Sequence, residues 1–380
     1  MRHAGPARKA LSYTRQATDA DGPALVILGF AQQYPPDECE RRLPDVAAAR
    51  ALLGERCAVL DALFAQHRAA LGGLVQDGPG QALLARSEDA TVLAYARLAL
   101  RHGRLGHDLH PYHNEGHALD LCGERLAHLI ARVGVAALDL AGWCSLLLFG
   151  ACHDLRQREA PATIDGVGAN ERASWEECAR ILAACGFDAE REASLFIALE
   201  LAIAGSTFDA RPLPSQGALN AADLVHSGGA LAARLEQVLD QRRAHWRSDP
   251  RIGAALPVAL IAADLDTANV AEPFARFAEG GEALCREREM LAGRSLDEAA
   301  SALPVLAFLG EGQSRFFFDL HRFNSPAGIA TFGAGKAANA PRLKALNMGL
   351  RARIALEGPP RSGAQVLDAY RLTVEEVGGA

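Results

Sequence analysis

The amino-acid sequence predicts an all-α fold: a helical bundle with an additional helical region on its N-terminal side. Three observations point there. Between residues 44 and 105 the chain is rich in Ala, Leu and Arg, and Val46, Leu52, Leu53, Val59, Leu60 and Leu63 recur at roughly the i, i+3/4, i+7 spacing of one helix face. The apolar run from Val133 to Cys152 contains Asp139 and ends on His153-Asp154. Interrupted by Asp139 and closed by that polar pair, it is not the about 20 mostly apolar residues of a bilayer span and reads as a buried helix. Stretches that alternate apolar and polar residues, as half-buried strands do, are scarce.

The 380 residues suit two to three domain-sized units at about 150 residues each, or one large helical domain with extensions. Residues 1–43 read as an extension, polar to residue 23 and then briefly apolar before Pro35-Pro36. Residues 44–105 form the N-terminal helical region, broken at Gly78-Pro79-Gly80. Residues 106–320 carry nearly all the chemical signals and form the expected catalytic domain. Residues 321–380 are a C-terminal extension. In it Asn324–Gly328 and Gly333-Ala334-Gly335 read as loops, and helical text returns at Leu343–Leu356.

Hydrophobic residues make up 49% and charged residues 22%, ordinary globular usage that excludes a disordered chain. The charge is 39 basic minus 46 acidic, or −7. No global basic field exists to hold a polyanion, so a nucleic-acid partner is not expected. Nor is a membrane. No apolar segment follows the basic Met1–Pro6, and the expected location is the cytoplasm. The eight cysteines form no Cys-x-x-Cys pair and mostly sit in apolar text, which argues against a disulfide scaffold or zinc ribbon.

Five of the twelve histidines fall at 102, 107, 110, 113 and 117. Pro111 suits a first helical turn, which would place His113 and His117 at i and i+4 on one face. Ala118, Cys122, Leu126, Leu129, Ile130 and Val133 then make the stripe that anchors that helix. The second signal is His153-Asp154, which closes an apolar run. Burying such a pair is costly unless it is compensated, and imidazole with carboxylate is mixed N/O ligation for a divalent cation. A fourth ligand has two rivals, Asp223 in Ala-Ala-Asp-Leu-Val-His226 and Asp264 in Ala-Ala-Asp-Leu-Asp266. Residue types alone do not separate them.

The ordered set His…His-Asp…Asp resembles the HD superfamily of metal-dependent phosphohydrolases. Tyr112-His113-Asn114-x-x-His117-Ala118-x-Asp120 resembles the signature of the class I cyclic-nucleotide phosphodiesterases. Ala263-Asp264-Leu265, followed by Glu287 or Glu289, is similar to that family's ligand-bearing helix and the acidic helix after it. Gln313-Ser314-Arg315-Phe316 is similar to its purine-holding Gln-x-x-Phe. The agreement covers residues 110–320. Two departures stand out. Gln157 occupies the place of a family His, and Asn170-Glu171-x-x-Ser174 resembles smaller bacterial HD hydrolases.

The resemblance implies an HD/phosphodiesterase-like helical bundle with two divalent ions, Zn, Mg, Mn or Fe. It makes His117, His153, Asp154 and Asp264 the metal ligands and His113 the proton donor. Gln313 and Phe316 become the base-binding pair. Glu171 and Glu115 are candidate carboxylates to support His113. His102, His107, His110 and His128 read as ordinary surface or supporting histidines. The implied reaction is hydrolysis of a 3′,5′-cyclic purine nucleotide to the 5′-monophosphate. Hydrolysis of another nucleotide or phosphomonoester is the alternative, and a catalytically silent HD scaffold the third.

Overall fold

The computed structural model describes residues 34–75, 77–159, 168–208 and 230–378. Among them the architecture is helical, and the one β-type contact is an isolated bridge between Phe208 and Ala230. The all-α expectation holds. Asp223–His226 lies outside the described residues.

Short helices α1 (Glu38–Arg42) and α2 (Val46–Leu53) lead into α3 (Cys57–Leu71) and the long α4 (Gly78–Arg101). The Gly-Pro-Gly break is the start of α4. Asp77 caps it by accepting from the Gly80 amide at 2.7 Å, and proline suits the first turn because its missing N–H would have no partner there. Next come α5 (Glu115–Asp120) and α6 (Leu126–Val133), joined without a break by a π turn at Leu121–Arg125. Then follow α7 (Leu140–Cys152), α8 (Ala169–Ala184), α9 (Ala193–Gly205), α10 (Leu235–Arg242) and α11 (Pro250–Asp266). Beyond these lie α12 (Phe274–Leu291) and α13 (Ala302–Ala307), which continues through π turns to Leu320. The last two are α14 (Pro326–Glu357) and α15 (Gly363–Gly378).

Helix α7 is the axis of the bundle. Every residue from Gly142 to Cys152 is buried, as expected of a helix that is apolar all round, and α4, α5, α9 and α11 pack about it. Where α7 crosses the α5–α6 helix, a Cβ on Gly150 would stand 2.8 Å from Cys122 Sγ. Only glycine permits that approach, and it carries His153 up to His117. Pro250–Ala271 has the length and apolarity of a bilayer span, yet more than half of it is buried against neighbouring helices.

One apolar core takes residues from Leu43 to Phe332, and a second joins α12, α13, α14 and α15. Packing is continuous across residue 105. Buried Arg97, Glu177, Arg156 and Glu40 tie α1, α4 and α8 to the segment just after His153-Asp154. Gly333-Ala334-Gly335 is not a loop but lies inside α14. A Cβ on Gly335 would stand 2.3 Å from the Ala271 carbonyl oxygen, so the glycine serves close packing rather than a turn. All eight cysteines are free thiols.

Candidate metal centre

Asn114 opens α5, its Oδ1 accepting from the Gly116 amide at 2.8 Å. His117 is therefore in the first turn of the helix, while Pro111 and His113 precede it. This corrects the expectation that His113 and His117 share one helical face. The backbone amides of Tyr112 and His113 donate instead to Glu287 Oε2, each at 2.9 Å. His113 arrives beside His117 by this side route, with ring centroids 6.1 Å apart. The Tyr112 ring lies over His117 at 4.8 Å. The π turn follows directly, a feature frequent at functional sites. It aims buried Arg125 at the C-terminal end of α11, where it donates to the carbonyls of Leu265 at 3.0 Å and Asp266 at 2.7 Å.

His153 is buried at the end of α7. Its Nδ1 faces the Phe149 carbonyl at 3.2 Å and must donate there, so Nε2 is the free ligand atom. That atom stands 3.0 Å from Asp154 Oδ2 and 3.4 Å from Asp266 Oδ1. His117 Nε2 stands 3.6 Å from Asp154 Oδ2 and 3.3 Å from Asp266 Oδ1. Donors about 2.0–2.2 Å from one ion in tetrahedral array lie about 3.3–3.6 Å from each other, so these separations suit a shared cation. Two buried atoms, His153 Nε2 and Asp154 Oδ2, have no hydrogen-bond partner despite their ion-pair distance. Unsatisfied buried groups are rare, and these two atoms are of the type that a divalent cation could take as ligands.

Three of the four expected ligands come together, and Asp264 does not join them. Its carboxylate accepts from the Asn324 amide at 2.6 Å, the Ser325 amide at 2.8 Å and Ser325 Oγ at 2.6 Å. It thus holds the start of α14, and a Cβ on Gly328 would collide with it. Residues two apart on a helix point about 200° apart, so Asp264 and Asp266 cannot serve the same cluster. Asp266, at the last position of α11, takes the ligand's place. Sequence reasoning passed over it; the one available signal was its position at the end of the apolar run.

The electrostatics match a cation site. Burial opposes ionisation of Asp154 and Asp266, but the neighbouring imidazoles outweigh it and hold both carboxyls below their ordinary range. Burial likewise opposes charge on His153, and the two carboxylates override it and raise that ring well above its usual value. On the other side, Gln157 Nε2 donates to Asp154 Oδ1 at 2.7 Å, and Asn170 Oδ1 accepts from the Glu159 amide at 3.0 Å. Burial raises the Glu171 carboxyl, with Asp154 and Asp266 adding to the effect, so this residue belongs to the same electrostatic neighbourhood.

The carboxylate that supports His113 is neither Glu171 nor Glu115. Glu115 is turned to the Arg104 amide at 3.0 Å. Glu287, on α12, sits 2.5 Å from His113 Nδ1. Of its rival Glu289, the carboxylate is paired with Arg294. Burial opposes the charged His113 ring, but Asp154 and Glu287 prevail and raise it to about 9. Such a ring stabilises the fold fully below its unfolded value of 6.5, and that contribution is lost as pH rises through about 9. In metal-stripped protein, Glu287→Gln should move the His113 titration, followed by NMR, from near 9 down toward 6.5. An unmoved titration would mean that Glu287 does not hold the ring.

Gln313 is buried, and its Oε1 accepts from the Tyr370 hydroxyl at 3.3 Å. Its amide lies on α12 at Gly281, and the neighbouring Gly280 faces the Tyr112 ring. Phe316 is partly buried between Phe208 and His321, at centroid distances of 5.2 and 5.6 Å. His321 Nε2 in turn meets Thr267 Oγ1 at 3.0 Å, next to Asp266. His107 and His128 are exposed as expected, but His102 and His110 are buried and are not surface histidines. In comparisons with known proteins, no family model matches the chain and no curated protein matches it in sequence.

Proposed function

We propose that this protein is a metal-dependent hydrolase of phosphodiesters of the HD type, acting on a 3′,5′-cyclic purine nucleotide. The observation that carries the reading is the grouping of His117, His153 and Asp266, with Asp154 Oδ2 beside both imidazoles, around unpartnered donor atoms and with a carboxylate-held His113 alongside. These four side chains would hold a divalent ion. Bound there, divalent cations neutralise charge on the phosphoryl oxygens and lower the pKa of water to supply a nucleophile near neutral pH.

The chain's own residues account for the rest. Phe149 fixes the His153 tautomer, and Arg125 fixes the end of the helix that carries Asp266. Glu287 occupies His113 Nδ1, so Nε2 is the atom left to deliver a proton to the departing sugar oxygen. Tyr112 covers one side of His117. Phe316, partly buried between Phe208 and His321, would be the aromatic neighbour of a base, and Gln313, its amide packed at Gly281, is the purine-edge residue that the resemblance implies.

The second reading, hydrolysis of another phosphoester, is favoured by one feature. Gln157 binds Asp154 where the resembled family has a histidine. The deciding experiment is a panel of cAMP, cGMP, bis-p-nitrophenyl phosphate and nucleoside monophosphates, run on wild type and Gln313→Ala. A neutral hydrogen bond is worth about 0.5–1.5 kcal/mol, so KM for the cyclic nucleotide should rise about three- to tenfold. Bis-p-nitrophenyl phosphate, which has no purine, should be unaffected. Unchanged cyclic-nucleotide kinetics would assign the protein to the second reading.

A further inference from the structure

A second cluster of ligand-type side chains lies outside the centre described above. Helix α4 ends at Arg101 with His102 as its cap, and the chain turns back tightly. The Leu105 amide donates to the Ala99 carbonyl at 3.0 Å, and the His110 amide to the His102 carbonyl at 2.8 Å. Gly106 makes the turn possible, since a Cβ there would stand 2.1 Å from the Leu100 carbonyl oxygen. The nine residues 102–110 thus close a short loop that brings His102, Asp108 and His110 together. A short closed loop adds little entropic cost to gathering three ligands.

The geometry suits a metal ion. Asp108 Oδ2 stands 3.6 Å from His102 Nδ1 and 3.2 Å from His110 Nε2. The two imidazoles lie 4.1 Å apart, centroid to centroid. His102 is only 2% exposed, and neither of its ring nitrogens has a hydrogen-bond partner. A buried imidazole without a partner is an unexplained cost in a folded chain, and its neutral form is the one that ligates metal. The other contacts in the cluster are to Arg158 and Glu287. The half-exposed Arg158 donates through Nη2 to Asp108 Oδ1 at 2.8 Å and through Nε to His110 Nε2 at 3.3 Å. Glu287 Oε1 stands 3.2 Å from His110 Nδ1.

We propose that His102, Asp108 and His110 form an additional metal site for a zinc-like divalent cation, which displaces Arg158 from the cluster when it binds. Two imidazoles and one carboxylate make a donor set that favours zinc or a neighbouring transition metal over magnesium or calcium. The guanidinium supplies positive charge at the same donors when no ion is present, and its exposure leaves it free to swing into solvent. The proposal does not depend on the reaction assigned above. It does give His110, and through Glu287 the His113 ring, a connection to metal supply.

The test is a Co²⁺ titration of metal-stripped protein followed by visible absorption, with Zn²⁺ competition, in a His117→Ala background that disables the first centre. That background should bind one ion, and adding Asp108→Ala should abolish the binding. Asp108 lies in a half-exposed loop, so the fold should survive, as circular dichroism will check. Arg158→Ala should tighten binding about tenfold, the effect of removing one nearby unit charge in partly screened surroundings. Millimolar Mg²⁺ should not compete. Equal ion binding with and without Asp108 would overturn the proposal, and so would an Arg158→Ala variant that binds no more tightly. If the first centre holds no metal, the wild type and His117→Ala will titrate alike, and the Asp108 comparison still decides.

Discussion

Asp266→Asn should strip the tighter cation and abolish turnover, while Asp264→Ala should keep the ion and lose stability. The two residues sit two positions apart on α11 and face opposite ways, so they offer a sharp contrast within one helix. Asp266 Oδ1 lies 3.3 Å from His117 Nε2 and 3.4 Å from His153 Nε2. Even partners of metal ligands are worth about 10–100-fold in affinity, so loss of a ligand should cost more than about 100-fold. Asp264 instead takes hydrogen bonds from Asn324 and Ser325 at the start of a 32-residue helix. Removing it strands buried donors, and hydrogen bonds to a charged group are the stronger kind. Unfolding free energy should fall by about 2–4 kcal/mol. Metal analysis and denaturant titration of both variants measure the two effects. Metal loss in the Asp264 variant alone would reverse the assignment.

The second large effect should come from His113→Ala. With Glu287 on Nδ1 and no other role in the metal ligand set, His113 should be removable without loss of the ion. Turnover of a cyclic nucleotide should then fall about 10²–10⁴-fold, the usual worth of a general acid. The sugar alkoxide is a poor leaving group and depends on the proton. p-Nitrophenolate is a good one and needs little help, so the loss on bis-p-nitrophenyl phosphate should be far smaller. Parallel kinetics on the two substrates measure the difference. An equal loss on both would make His113 a ligand or a packing residue.

The legible parts of the sequence were those in which local text and tertiary role coincide. The apolar run into His153-Asp154 could only be a buried helix, and its polar end could only be tolerated with compensation. His117 followed by its stripe at Ala118, Cys122, Leu126 and Leu129 indicated a helix with one functional end. The misreadings came from choices that tertiary contacts make. Asp264 and Asp266 share one short stretch, and only the rotation of α11, set by its packing on α7 and α9 and by Arg125 at its end, decides which faces the histidines. Pro111 suggested a helix start that Asn114 in fact provides, because Glu287 captures the two preceding amides from 175 and 174 residues away. The burial of His102 and His110 was hidden for a similar reason: their loop is closed by backbone contacts with no sequence period. Gly333 and Gly335 read as loop residues because a helix-packing glycine and a turn glycine look alike until the neighbour, here Ala271, is known.

The most direct test of the central claim is an anomalous difference map from crystals of the protein loaded with Zn²⁺ or Mn²⁺. A peak should lie among His117 Nε2, His153 Nε2, Asp154 Oδ2 and Asp266 Oδ1, at about 2.0–2.2 Å from each donor. A map with no peak among these four side chains, or with one held by Asp264 instead, would contradict it.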